Sequence, residues 1–290
     1  MVANVAEHSK RSAAPDSAGE WSWRGSLDLV IPAAIISLVL FACFLLPLAY
    51  SFPEPVGGRI RDSNLPVLSP GHVLGTDLNG NDILSRLLHG GQASLRIAVT
   101  ANILGLIVGG ALGAGAAYAR GILDSIVMRL LDVLIAFPSL VLVLSIAQTL
   151  GPSEPNTIAA LMFFSVPAFG RVARAATLRV REQPFMVAAA LSGTSKLRAL
   201  FHHIAPSIFP QLLAFGLLGV GIAITIEGAL SYLGLGVPLP QPSWGNMIAE
   251  GQHFLLTRPL FVLLPGSLLF VTALACNLLG DALRARSGSA

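Results

Sequence analysis

The sequence has few charges, few cysteines and few aromatic rings, and each shortage excludes a class of protein. Charged residues make up 11% of the 290, against about a quarter in soluble domains, so an ordinary water-soluble globule is excluded. Disorder is excluded as well, because 54% of the residues are hydrophobic and little charge repels the chain. The two cysteines, Cys43 and Cys276, lie inside apolar runs as small hydrophobes, which leaves no disulfide framework and no thiolate metal site. The six histidines lack ligand spacing; His202 and His203 are adjacent and on a helix would point about 100° apart. No metal is therefore expected. No phosphate-binding loop occurs either: Gly193-Thr194-Ser195-Lys196 lacks the glycine spacing of that motif and follows no strand. With no strand-turn-helix nucleophile elbow, no catalytic residue is assigned, and the chain is not expected to hydrolyse ATP itself.

What remains is an all-α integral membrane protein. Glycine (29) and proline (19) together form about a sixth of the chain, which suits close-packed and interrupted membrane helices. The net charge of +3 comes from basic residues scattered between apolar runs, which marks loops facing the cytoplasm and not a nucleic-acid surface. Uncharged windows long enough to cross a bilayer lie between Asp28 and Glu54, Arg96 and Arg120, Asp132 and Glu154, Arg198 and Glu227, and Arg258 and Asp281. A further window from Glu154 to Arg171 runs on through Ala173, Ala175 and Ala176. Six transmembrane helices follow. The first is too long for a signal core and is preceded by a long polar stretch, so it reads as uncleaved. With the N-terminus inside, 13 of the 18 Lys and Arg residues fall on the cytoplasmic side, and the inverted orientation would reverse the ratio. Both termini are therefore expected in the cytoplasm.

Four segments stand out. Residues 1 to about 20 read as a polar tail. In the outer segment from Ser51 to about Gly91, Asn-Gly and Asp residues build turns, and Asp82 is placed to cap a short helix from Ile83. The stretch Gly228 to Ala249 is uncharged but repeatedly broken at Gly234-Leu235-Gly236-Val237-Pro238-Leu239-Pro240-Gln241-Pro242, and reads as an external loop. The inner segment from about Thr177 to Pro206 is the only sizeable cytoplasmic surface between spans. It offers a helix-forming run from Phe185, a break at Gly193, and a second helix with Leu197, Leu200, Phe201 and Ile204 at helical spacing.

Within the spans, Gly105, Gly109 and Gly113 repeat a small residue every fourth position, which lets helix backbones approach; Gly216, Gly219 and Gly221 act in the same spirit. Glu227 is an ionisable residue in a span, expected to border a translocation path or a subunit interface instead of lipid. Asp132 reads as the partner of Arg129, since positions i and i+3 are neighbours on a helix.

The inner segment resembles the Glu-Ala-Ala loop of the membrane subunits of bacterial ATP-binding-cassette importers, with Ala188-Ala189, Gly193, and Pro206 thirteen residues after that glycine. Val187 stands where the loop's Glu is usual, and Ala205 where Leu is usual. Gly75-Thr76-Asp77, Gly80, Asp82, Ser85-Arg86-Leu87, Arg129-Leu130-Leu131-Asp132-Val133, Ala136-Phe137-Pro138-Ser139, Ser231-Tyr232-Leu233-Gly234, Pro242-Ser243-Trp244-Gly245-Asn246 and Asn277-Leu278-Leu279-Gly280-Asp281 are similar to landmarks of the dipeptide/oligopeptide/nickel branch, second-permease type.

That resemblance implies the type I importer fold, with a cytoplasmic tail (1–28), a first helix and outer segment (29–91), a permease domain (92–281) carrying the coupling loop (177–206), and a C-terminal tail (282–290). It implies a second homologous permease, two ATPases or one two-domain ATPase, and an extracytoplasmic solute-binding protein as partners, with ATP and Mg held by the ATPases, all in the cytoplasmic membrane. Phe185, Ala188, Ala189, Gly193, Lys196, Leu197, Leu200, Phe201 and Pro206 would couple to an ATPase; Glu227, Ser231, Tyr232 and Trp244 would line the path or the permease interface. Peptides are the expected cargo, with a nickel chelate, glutathione, haem or another small solute as alternatives. A self-sufficient secondary transporter or channel would need mid-span carboxylates, for which only Glu227 and Asp132 are candidates.

Overall fold

The computed structural model of the protein describes residues 20–287; residues 1–19 of the expected N-terminal tail and 288–290 of the C-terminal one lie outside them. The described chain is almost wholly helical. Helix α1 (Glu20–Leu40) continues through a π-turn (Phe41–Leu45) to Ala49. It is followed by α2 (Ile83–Ala119), α3 (Gly121–Ile135), α4 (Ser139–Leu150), α5 (Glu154–Arg181) and the short α6 (Pro184–Leu191). Helix α7 runs from Lys196 to Tyr232 with a π-turn at Leu200–Ile204, and α8 (Trp244–Gly251) and α9 (Leu260–Ser287) complete the order.

Five of these helices are long and apolar enough to cross a membrane: α1, α2, α5, α7 and α9. The third expected span differs from a single rod. Its window from Asp132 to Glu154 takes in only the end of α3 together with α4, and these two helices are bent by 84°, because Pro138 supplies no N–H and sits in extended ψ at the start of α4. Counted as one span, this pair makes six.

Helix α2 also departs from expectation. The short helix after Asp82 does not stop but runs 37 residues, about 55 Å at 1.5 Å per residue, which exceeds a bilayer core and carries its first turns outside. Asp82 does cap it, accepting the Ser85 backbone N–H at 2.7 Å. The charges that seemed to interrupt it are neutralised from a distance. Arg86, buried, is paired with Asp77 and, at 2.7 Å, with Glu250; Arg96 forks onto Glu154 at 2.5 and 2.7 Å.

Packing around α2 follows its small residues. A β-carbon at Gly109 would overlap the Val166 carbonyl oxygen, and one at Gly113 the Gly170 carbonyl oxygen, so α2 and α5 touch backbone to backbone there. Asn102, buried in the same helix, donates from Nδ2 to the Gly216 carbonyl at 2.9 Å and ties α2 to α7. Three apolar clusters result. One joins α2, α4, α5 and the outer end of α7 around Ile97, Val143, Leu161 and Leu230. A second sits at the inner end around Phe169, Ala173, Ile204 and Leu212. A third packs α1, α7, α8 and α9 on the outer part of α2 around Cys43, Ile224 and Trp244.

Candidate functional site

The cytoplasmic hairpin is built as the sequence suggests up to its second helix. Pro184 opens α6, its missing N–H falling where a helix start leaves donors unpaired anyway. The helix ends at Leu191. Gly193 has φ +77°, a left-handed conformation that glycine adopts without a β-carbon penalty, and no neighbouring atom lies where its β-carbon would be. The backbone turn is thus the reason for glycine at 193. Ser195 then caps the next helix, accepting from the Arg198 N–H at 3.4 Å.

That next helix is not a separate surface element. It is the beginning of α7, which carries on through the membrane to Tyr232, because nothing between Lys196 and Ala205 interrupts the helical path except the π-turn, and Pro206 sits where the α-helix resumes after it. The exposed face also differs from the expected trio. Leu197 and Phe201 are 71% and 65% exposed, whereas Leu200 turns inward against the inner cluster with Met186, Ala199 and Ile204. Phe185, Val187 and Leu191 complete the outward apolar surface, with Ala188, Lys196, Arg198 and Pro206 also exposed and Ala189 half-buried. The Phe185 and His203 rings meet at a tilt of 59° with centroids 6.4 Å apart, a contact between the two arms. A protruding apolar tip is therefore carried on a hairpin whose other side is seated on α5.

At the outer end, Glu227, Ser231 and Trp244 come together, while Tyr232 points away. Glu227 is fully enclosed within this chain; its Oε1 accepts the Ser231 hydroxyl at 2.7 Å, and its Oε2 is buried without a hydrogen-bond partner among the described residues. Ser231 in turn accepts the Val237 N–H at 3.2 Å, which pins the segment after α7. The Pro242 to Asn246 run works as a capping box. Ser243 accepts the Asn246 N–H at 3.2 Å and its own N–H goes to Asn246 Oδ1 at 2.8 Å. This corrects the reading of Gly228–Ala249 as loop: α7 extends to Tyr232, and α8 starts at Trp244. Trp244 is completely buried, with its indole N–H on the Leu87 carbonyl at 3.0 Å and its backbone N–H on Ser94 Oγ at 3.3 Å. The exposed Tyr232 hydroxyl donates to Gln252 Oε1 at 2.5 Å.

Near the inner ends of the helices, Asp132 pairs with Arg171 at 2.7 Å instead of Arg129, since α3 lies against α5 and brings a better-placed guanidinium to it. Among the described residues no group of three or more His, Cys, Asp or Glu side chains is arranged to hold a metal.

A profile of the binding-protein-dependent transport system inner membrane component family matches residues 101–288. The chain belongs to that family. It is 35% identical over 258 residues to the dipeptide transport system permease protein DppC of Alkalihalophilus pseudofirmus, covering 89% of this chain and 83% of that one. It is 36% identical to a putative peptide transport system permease of Brucella suis, over 88% and 85% of the two chains. It is 37% identical to the glutathione transport system permease protein GsiD of Pectobacterium atrosepticum, over 74% and 72%. As a member of this family the chain is a multi-pass inner-membrane component of an importer that depends on a binding protein.

Three interior polar residues escaped reading of the sequence. Asn102 and Ser94 carry no charge, so a search for gaps between charges passes over them. Arg86 stood inside a recognised motif, but its partner Glu250 lies 164 residues away.

Proposed function

We propose that this chain is the second permease of an ATP-driven importer of di- or oligopeptides, and that residues 92–281 form its permease domain. The observation that carries the coupling role is the apolar tip of Phe185, Val187, Leu191, Leu197 and Phe201 around the positive-φ Gly193, held on a seated hairpin. Exposed apolar clusters on a water-facing surface mark partner sites, and Lys196 and Arg198 at the rim suit an acidic edge of a groove. A partner ATPase that moves this tip moves α7 directly, because Lys196 begins the same helix that reaches the outer end. ATP and Mg belong on the ATPases. The remaining partners are a second permease and an extracytoplasmic binding protein.

Peptide as cargo is supported by the names of the relatives from Alkalihalophilus pseudofirmus and Brucella suis. Glutathione is the second reading, favoured by the relative from Pectobacterium atrosepticum. We further propose that Glu227, Ser231 and Trp244 do not touch cargo but position the outer ends of α2 and α7 and the start of α8 that border the path, since all three are enclosed within the chain.

The test is reconstitution of the chain with its neighbouring permease, ATPases and binding protein in vesicles. Binding protein loaded with a dipeptide or oligopeptide should stimulate ATP hydrolysis and fill the vesicles with peptide. Stimulation by glutathione alone selects the second reading, and equal hydrolysis with loaded and empty binding protein overturns both.

A further inference from the structure

The inner end of α2 is closed by a side chain from another helix. The last four carbonyls of a helix have no donor within it. Here the Arg120 N–H donates to the Ala116 carbonyl at 3.0 Å, and one terminal nitrogen of Arg181, the last residue of α5, donates to the next two, Ala117 at 3.3 Å and Tyr118 at 2.9 Å. The same guanidinium lies over the Tyr118 ring, 5.5 Å from its centroid. A cation at this place also meets the negative end of the helix dipole. Helix α2 has no relaxed cap of its own, because Arg120 stands at φ +61° and ψ −177°, a conformation that is essentially glycine's.

Arg181 is also the root of the coupling hairpin. Glu182 and Gln183 alone separate it from Pro184 at the start of α6, and their N–H groups donate back onto α5, to the Arg179 carbonyl at 3.3 Å and the Val180 carbonyl at 3.1 Å. The hairpin therefore leaves α5 through a closed turn. Its seat repeats the connection, since Met186 of α6 and Ala114 of α2 are both buried in the inner cluster and Tyr118 packs on it. Farther out, α2 is clamped to α5 again by Arg96 on Glu154, and its outermost turns hold the outer segment and α8 through Arg86 with Asp77 and Glu250. A helix of 37 residues fastened in this way at both ends passes a displacement of one end to the other.

We propose that Arg181 is a positioning residue that locks the coupling hairpin to the inner end of α2, so that ATPase movement reaches the outer segment and α8 along α2 as well as along α7. The inference rests on the hairpin being the docking site of an ATPase. It adds a second route from the same tip: α7 continues the hairpin's second arm covalently, whereas α2 is reached from the first arm through a polar contact that one substitution removes. Arginine suits the task because its planar donors serve two carbonyls while its face lies on a ring; a lysine ammonium is a point charge without the flat face.

The test uses the whole importer in vesicles, with dipeptide-loaded binding protein, and reads peptide transported per ATP hydrolysed, ATPase pull-down and the melting temperature of the complex. Arg181→Met keeps the stem and removes the donors. It should still recruit the ATPases, because the tip is untouched, while peptide per ATP falls about tenfold, the equivalent of one hydrogen bond to a charged group. Arg181→Lys keeps the charge at the helix end; it should assemble at wild-type yield and lose only part of the coupling, so it carries the test if Arg181→Met fails to assemble. Arg179→Met, at an exposed residue of the same turn whose guanidinium reaches Gln211 of α7 and not α2, should leave the ratio near wild type. Wild-type peptide per ATP in both Arg181 variants would overturn the proposal. So would transport that falls only in step with yield or melting temperature, which would make Arg181 a fold contact, and an equal fall in Arg179→Met, which would trace the effect to charge on α5. Failure of the docking reading is recognised separately, by Leu197→Asp retaining ATPase recruitment and transport, and the route through α2 would fall with it.

Discussion

Arg174 of α5 forks onto Asp124 of α3, Nε to Oδ1 and a terminal nitrogen to Oδ2, each at 2.7 Å. Two parallel bonds from a planar guanidinium fix orientation as well as distance, so this pair holds the inner arm of the bent third segment against α5. Arg174→Ala should loosen that arm at a cost of about 1 kcal/mol for a partly exposed pair. Arg174→Asp should be worse, since it sets two carboxylates face to face. The exchange of both residues, Arg174→Asp with Asp124→Arg, should recover most of the loss. Thermal denaturation of the purified complex reads the cycle; no recovery in the exchanged protein would show that the pair contributes nothing.

Gly193 should tolerate asparagine better than valine. Asparagine enters the left-handed region at modest cost, while a β-branched side chain is strongly disfavoured there. Nothing crowds the position within the chain, so Gly193→Val should leave insertion and permease pairing near normal. Transport should fall about tenfold, the equivalent of strain at the lower end of the usual range, and the ATPases should pull down poorly with the variant membrane complex. Full transport by Gly193→Val would refute the coupling role.

Leu197→Asp and Phe201→Asp place a charge on the exposed tip, and Leu200→Asp places one in the inner cluster. The first two should express and insert normally yet fail to recruit the ATPases. Leu200→Asp should lower the yield of folded protein, because the side chain packs against the apolar inner cluster, where burying a carboxylate is costly. Size-exclusion profiles alongside ATPase pull-down distinguish the two failures, and identical behaviour of all three would remove the distinction between face and seat.

Glu227→Gln keeps the shape and an acceptor for the Ser231 hydroxyl, whereas Glu227→Leu leaves that hydroxyl and the Val237 turn without their anchor. The glutamine variant should therefore retain most transport. The leucine variant should lose it in parallel with protection of residues 233–243 from protease. Transport lost in Glu227→Leu with protection of residues 233–243 unchanged would instead point to direct contact with cargo.

Gly109→Leu should prevent folding outright, since its side chain would have to occupy the Val166 backbone. Gly115, where a β-carbon meets nothing within 4 Å, is the control: Gly115→Leu should give nearly normal amounts of membrane-inserted protein. Equal yields from the two would argue against close contact between α2 and α5.

Membrane class, number of crossings, the Asp82 cap and the break at Gly193 were all legible along the chain, because each depends on neighbours in sequence: runs without charge, a capping side chain beside its donor, a glycine between two helical stretches. What only the tertiary structure decided depends on partners far apart. Helix α2 could be read as two pieces until Glu250 and Glu154 met Arg86 and Arg96, and Asp132 had a plausible local partner until α5 offered Arg171. Glu227 is a carboxylate in a span by sequence, but its enclosure beside Ser231 follows from how α2, α7 and α8 close around it. Hydropathy assigns a residue to the bilayer; which way it faces there, and what neutralises its charge, is settled by helix packing, whose contacts a one-dimensional pattern does not contain.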